Sequence, residues 1–97
     1  MKVIYHRLAV RDVRETLDHY EYEAGQALAD RFFADLLATL AKALANPNHF
    51  PPLGETLRRA NLTDFPYHFL YEVKSWGIKV LVVRHHRRRP DYGLRRK

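Results

Sequence analysis

Phe65-Pro-Tyr-His-Phe-Leu-Tyr-Glu-Val73 and, after a Trp76-Gly77 turn, Ile78-Lys-Val-Leu-Val-Val83 are the stretches whose reading decides the fold. Tyr67, Phe69, Tyr71 and Val73 fall on one side of an extended chain and His68, Leu70 and Glu72 on the other, the period-two pattern of a strand. Ile78 to Val83 is apolar at nearly every position, as expected of a strand buried on both faces, so its place is inside a sheet. It runs directly into Arg84-His-His-Arg-Arg-Arg89, and Pro90 and Gly93 argue against a long helix beyond that point. Two adjacent strands therefore carry a dense cluster of cations to one end of a sheet.

Upstream, the short β-branched and aromatic run Lys2 to His6 reads as a first strand. Val10, Val13, Leu17, Tyr20 and Ala24 follow at helical spacing, with charged residues between them, predicting an amphipathic helix with one apolar seam. Gly25 offers the positive φ that ends it. Residues 26–45 are rich in Ala and Leu, with a wider stripe (Leu28, Phe32, Phe33, Leu36, Leu37, Leu40, Leu44), so this helix is expected to touch both its neighbour and a sheet. Asn46-Pro47 stops it, and the short joint at Gly25 makes the two helices an antiparallel hairpin.

Pro47, Pro51 and Pro52 stiffen the connector from Asn46 to Gly54. From Thr56 to Leu62, Ala60 and Leu62 alternate with Arg59 and Asn61 as a strand requires. The predicted order is β-α-α-β-β-β, a helical hairpin packed on a small, mainly antiparallel sheet of the α+β class, with residues 1–97 as one domain.

Apolar residues make up 46% of the 97, enough for a folded chain with a modest core. Cysteine is absent, which removes disulfides, thiolate catalysis and thiolate metal sites. Neither a signal-peptide core nor a membrane-length apolar run is present, so a cytoplasmic protein is expected, with no membrane partner. The net charge of +6 is unevenly placed: residues 1–54 carry six Lys/Arg against seven Asp/Glu, residues 55–97 eleven against four. Clustered cations of this kind attract polyanions and acidic protein segments.

These features, taken together, carry a resemblance. A short strand, an Ala/Leu-rich hairpin ending in Asn46-Pro47, the connector His49-Phe50-Pro51-Pro52, Leu57-Arg58-Arg59, Phe65-Pro66-Tyr67 with Tyr71-Glu72-Val73, and an apolar strand running into His-x-Arg-Arg resemble the RelE/ParE toxins of bacterial type II toxin–antitoxin modules. The resemblance spans nearly the whole chain. It implies a small toxin neutralised by a cognate antitoxin. RelE-like members cut messenger RNA on the ribosome, and ParE-like members poison DNA gyrase; the long hairpin and proline-rich connector look closer to ParE.

Metal-free RNA cleavage needs a base for the 2′-OH, cations for the phosphorane and an acid for the leaving oxygen. The candidates here are Arg59, His68, Arg84, His85, His86 and Tyr92. His68 stands where the resemblance leads one to expect an Arg; it can act as a base but cannot offer a permanently charged fork. Gyrase poisoning asks for no chemistry from the toxin, and Arg84, Arg87, Arg88 and Arg89 would then form the contact surface for the target.

An acidic antitoxin segment would cover Arg58, Arg59 and His68, with Leu70 as an apolar anchor unless the hairpin covers that face instead. A third reading is a non-toxic module of the same fold that binds RNA or protein through its basic end. No cofactor is expected. Adjacent His85 and His86 point to opposite faces of a strand, and the other histidines lack ligand spacing, so no metal site is expected either. Trp76 reads as a turn aromatic folded onto the sheet edge.

Overall fold

A computed structural model describes residues 1–97. Strand β1 (Lys2–Tyr5) leads into helices α1 (Arg7–Ala24) and α2 (Gln26–Ala45), followed by β2 (Pro52–Leu53), β3 (Leu57–Asn61), β4 (Tyr67–Lys74) and β5 (Gly77–His85). The sheet order is β1-β5-β4-β3-β2, antiparallel except where β1 runs parallel to β5. The class is α+β, and β5 is internal as its apolar run requires.

Two boundaries differ from the sequence reading. His6 belongs to the first helix as its cap: its Nδ1 accepts the Leu8 N–H at 3.1 Å. The proline-rich connector also supplies a strand of its own, β2. Proline is tolerated there because β2 is the sheet edge, with only β3 beside it. The connector is tied down by Tyr71, whose hydroxyl donates to the Pro47 carbonyl, and by Arg58, which donates to the carbonyls of Asn48 and Phe50. Gly25 has φ 94°, as the hairpin demands.

The helices cover one sheet face. Phe32, Leu36, Leu40 and Ala43 of α2 and Ala9 of α1 pack on Ala60, Phe69, Tyr71, Ile78, Val80 and Val83. Phe65, Phe32, Tyr20 and Tyr67 cluster edge-on around the loop before β4. Asp35 of α2 holds that loop by accepting the N–H groups of Thr63 and Asp64.

α1 is rolled relative to the expected seam. Its buried line is Ala9, Asp12 and Thr16, flanked by Val13 and Leu17, while Val10 and Ala24 are exposed. A bulge explains the inner pattern of β5: Leu70 pairs with Val82 but Tyr71 with Val80, so Leu81 has no partner and Val83 returns to the helix side. Trp76 occupies the β4–β5 turn with the Lys2 ammonium 5.6 Å from its ring, against the sheet's β1 edge.

Candidate functional site

The second face of the sheet carries Arg59, His68, Leu70, Val82 and Arg84, and residues 86–97 turn across it. Val82 lies against Gly93, where a Cβ would sit 2.7 Å from the valine side chain; with φ +83° as well, only glycine fits. Arg84, 6% exposed, organises this crossing. One of its terminal nitrogens donates to the carbonyls of Arg89, Pro90 and Tyr92, and its Nε donates to His68 Nε2 at 2.9 Å.

That last bond fixes the histidine chemistry. With Nε2 accepting, the His68 proton is on Nδ1, which donates to His86 Nδ1 at 2.9 Å across stacked rings. His86 therefore carries its own proton on Nε2. Arg59 stands at the far end, with Nη2 3.3 Å from His86 Nδ1 and Nε donating to Asn61. The row Arg84, His68, His86, Arg59 thus places two neutral imidazoles between two guanidiniums. Burial first, then the charges of Arg59 and Arg84, push His68 down to about 3. Burial and Arg59 lower His86 as well.

The cleavage candidates are accordingly brought together but largely spent on one another. His68 is 1% exposed with both ring nitrogens bonded, so it is not a free base. Arg84 donates to three of the chain's own carbonyls and to His68. The Tyr92 hydroxyl donates to Asp12, and its ring lies 4.0 Å from the Arg88 guanidinium and 5.1 Å from that of Arg96. His85 points to the helix face, edge-on to Tyr67, and its Nδ1 accepts the Arg87 N–H. The two adjacent histidines diverge, His85 at the end of β5 towards Tyr67 and His86 in the turn beyond it towards His68.

Of the expected target-binding cations, Arg87, Arg88 and Arg89 are exposed and Arg84 is not. The expected antitoxin set does not form one surface. Leu70 has no exposed area, because the C-terminal segment, and not the hairpin, crosses its face at Val82 and Arg84. Arg58 lies on the opposite sheet face from Arg59, bound to the connector. Arg59 keeps partial access on the second face, and Arg58 does so on the first.

Two further features went unread in the sequence. Asp12 and Arg96 form a buried ion pair (Nη1 to Oδ2, 2.6 Å) that anchors the C-terminal segment to α1. Asp12 falls with Arg11, Arg14 and Glu15 among the charged residues between the seam positions, so no local pattern marks it. The other feature is an apolar groove of about 310 Å³ between the helices, where Tyr5, Val10, Val13, Leu17, Phe33 and Leu37 converge. Phe33 and Leu37 are 41% and 46% exposed, so the wide α2 stripe has more apolar surface than its own chain covers. No helix is long and apolar enough to cross a membrane.

The family model described as "ParE toxin of type II toxin-antitoxin system, parDE" matches residues 3–90. Among solved structures, the chain is similar to one from the chromosomal ParDE toxin–antitoxin system of P. aeruginosa. The TM-score is 0.76 at 23% identity, covering 88% of this chain and 95% of that one. No curated protein matches the chain.

Proposed function

We propose a function from one premise: the chain belongs to the ParE toxin family of type II toxin–antitoxin systems. It acts by trapping DNA gyrase on its cleaved DNA, contributing binding and no bond-breaking of its own. The observation that carries this reading is the internal use of the groups that RNA cleavage would need. His68, Arg84 and Tyr92 are bonded to the protein itself, while Arg87, Arg88 and Arg89 face solvent as a contact surface.

The antitoxin occupies the apolar groove between α1 and α2. A ParE-family toxin requires a neutralising partner, and this groove is where unpartnered apolar side chains gather, beside the free edge of β1. An amphipathic helix presenting apolar residues at three- and four-residue spacing fits such a groove. Arg14 on its rim suits an acidic residue of that helix.

Purified toxin added to gyrase and plasmid tests the target. Lost supercoiling with accumulation of cleaved plasmid is expected, with messenger RNA in a translating extract left intact. Cleaved messenger RNA with gyrase unaffected would instead establish the RelE-like activity. Charge reversal at Arg87, Arg88 and Arg89 should abolish growth arrest and preserve the circular dichroism spectrum; a folded variant that stays fully toxic removes this segment from the mechanism. Unimpeded growth with soluble wild-type protein present would favour the non-toxic binding module.

A further inference from the structure

On the side of α1 away from the apolar groove lies an open depression of about 610 Å³ between the start of that helix and the C-terminal segment. Arg7 and Arg11, one helical turn apart, line it from α1, and Arg89, Arg95 and Lys97 line it from the tail. All five are exposed. Three carboxylates come near. Asp12 is already matched by Arg96, while Asp91 faces Arg89 at 3.6 Å and Glu15 faces Arg11 at 3.5 Å, both in pairs that are more than half exposed and weakly held. The tail is held in position at both ends, by Arg84 on its carbonyls and by Lys79 Nζ donating to the Lys97 main-chain oxygen at 3.0 Å. The cations are thus presented by a shaped surface and not by a loose arm.

We infer that this depression binds the phosphodiester backbone of duplex DNA without sequence preference. Four of the five cations are arginines, whose planar forks match phosphate oxygens. Single-stranded RNA would need aromatic faces for its unstacked bases. The one tyrosine here, Tyr92, has its ring occupied by Arg88 and Arg96. A peptide partner would need apolar anchors, and those are gathered in the groove on the other side of α1. The helix therefore separates two surfaces, an apolar one for the antitoxin and a cationic one for DNA. The inference deepens the gyrase reading by giving the toxin its own hold on the DNA that gyrase cleaves, through residues other than Arg87 and Arg88.

The test is fluorescence anisotropy of a labelled random-sequence duplex titrated with the full chain in the absence of gyrase, at salt concentrations from about 50 to 200 mM. A log–log salt slope of about −4.5 is expected for five cations, since each neutralised phosphate contributes about −0.9. Arg7→Ala with Arg11→Ala should reduce affinity about tenfold or more and lower the slope by about 2, as should Arg95→Ala with Lys97→Ala. Arg31→Ala, on α2 outside the depression, should change neither. The inference is overturned if the folded quadruple variant keeps wild-type affinity and slope, if single-stranded RNA binds more tightly than the duplex, or if polyglutamate displaces the duplex charge for charge. DNA binding without gyrase inhibition would refute the proposed function alone, and gyrase inhibition without DNA binding would refute this inference alone.

Discussion

Asp12 and Arg96, 84 residues apart in the chain, meet through two oxygen–nitrogen contacts of 2.6 and 3.2 Å and together close the exposed edge of β5. β1 pairs with β5 only from Gly77 to Val80. Beyond that point the Asp12 carboxylate accepts the Val83 N–H and the Arg96 guanidinium donates to the Leu81 carbonyl. The pair thus stands in for a missing strand, and its charges are satisfied by the backbone they cap. Burial works against the Arg96 charge, but the hydrogen bonds and charge of Asp12 outweigh it and raise its pKa.

Breaking one side of this pair leaves a buried charge without a partner. Asp12→Ala and Arg96→Met should each destabilise the fold by about 3–5 kcal/mol in urea unfolding. The double variant should cost clearly less than the sum, because neither charge remains stranded. Additive losses would show that the two residues act independently.

Gly93→Ala introduces a methyl against Val82 at a φ that alanine rarely adopts. A loss of about 1–3 kcal/mol is expected. Introduced into a Val82→Ala background, the same change should cost less, because the steric part has been removed. Equal cost in both backgrounds would assign the whole effect to backbone strain.

His68 predicts a pH dependence with a definite sign. Its folded pKa of about 3 lies below the ordinary 6.5, so the unfolded chain binds more protons between these values. Its contribution is complete above pH 6.5 and is lost as pH falls towards 3, by on the order of 3 kcal/mol at pH 4. His86, also lowered, adds to the same trend. His68→Gln keeps an acceptor for Arg84 without titrating, so its urea midpoint should vary less between pH 7 and pH 4 than that of the wild type. An unchanged pH profile would mean that His68 is protonated as easily in the folded state as in the unfolded one.

Leu37→Glu places a carboxylate in the apolar groove at a position already 46% exposed, with little expected effect on folding. Affinity for the antitoxin should fall by at least about tenfold, and co-expressed antitoxin should no longer rescue growth. Retained rescue would move the antitoxin to another surface.

The sheet pattern from Tyr67 to Tyr71, the hairpin joint at Gly25 and the cationic end of β5 were all legible in the sequence. The second face was not. His68, Leu70 and Arg84 read as accessible groups because alternation marks them as opposite to the core, yet the C-terminal segment folds back over that face. Its turns at Pro90 and Gly93 identify irregular chain without saying where that chain packs. Asp12 was hidden for a related reason, since a charged residue on a charged helix looks solvated until its partner is known.

The sequence by itself determined the order of the elements apart from β2, the sides of β3 and β4 that face the helices and the half of the chain that is basic. Those properties rest on spacings of two or about 3.6 residues, which any local stretch displays. Only the tertiary structure decided which cations are free and which are consumed. Arg84 and Arg96 became structural, while Arg7, Arg11, Arg95 and Lys97 became a surface. That sorting depends on close approach between segments far apart in the chain, where desolvation makes a partner obligatory for a buried charge and dispensable for an exposed one.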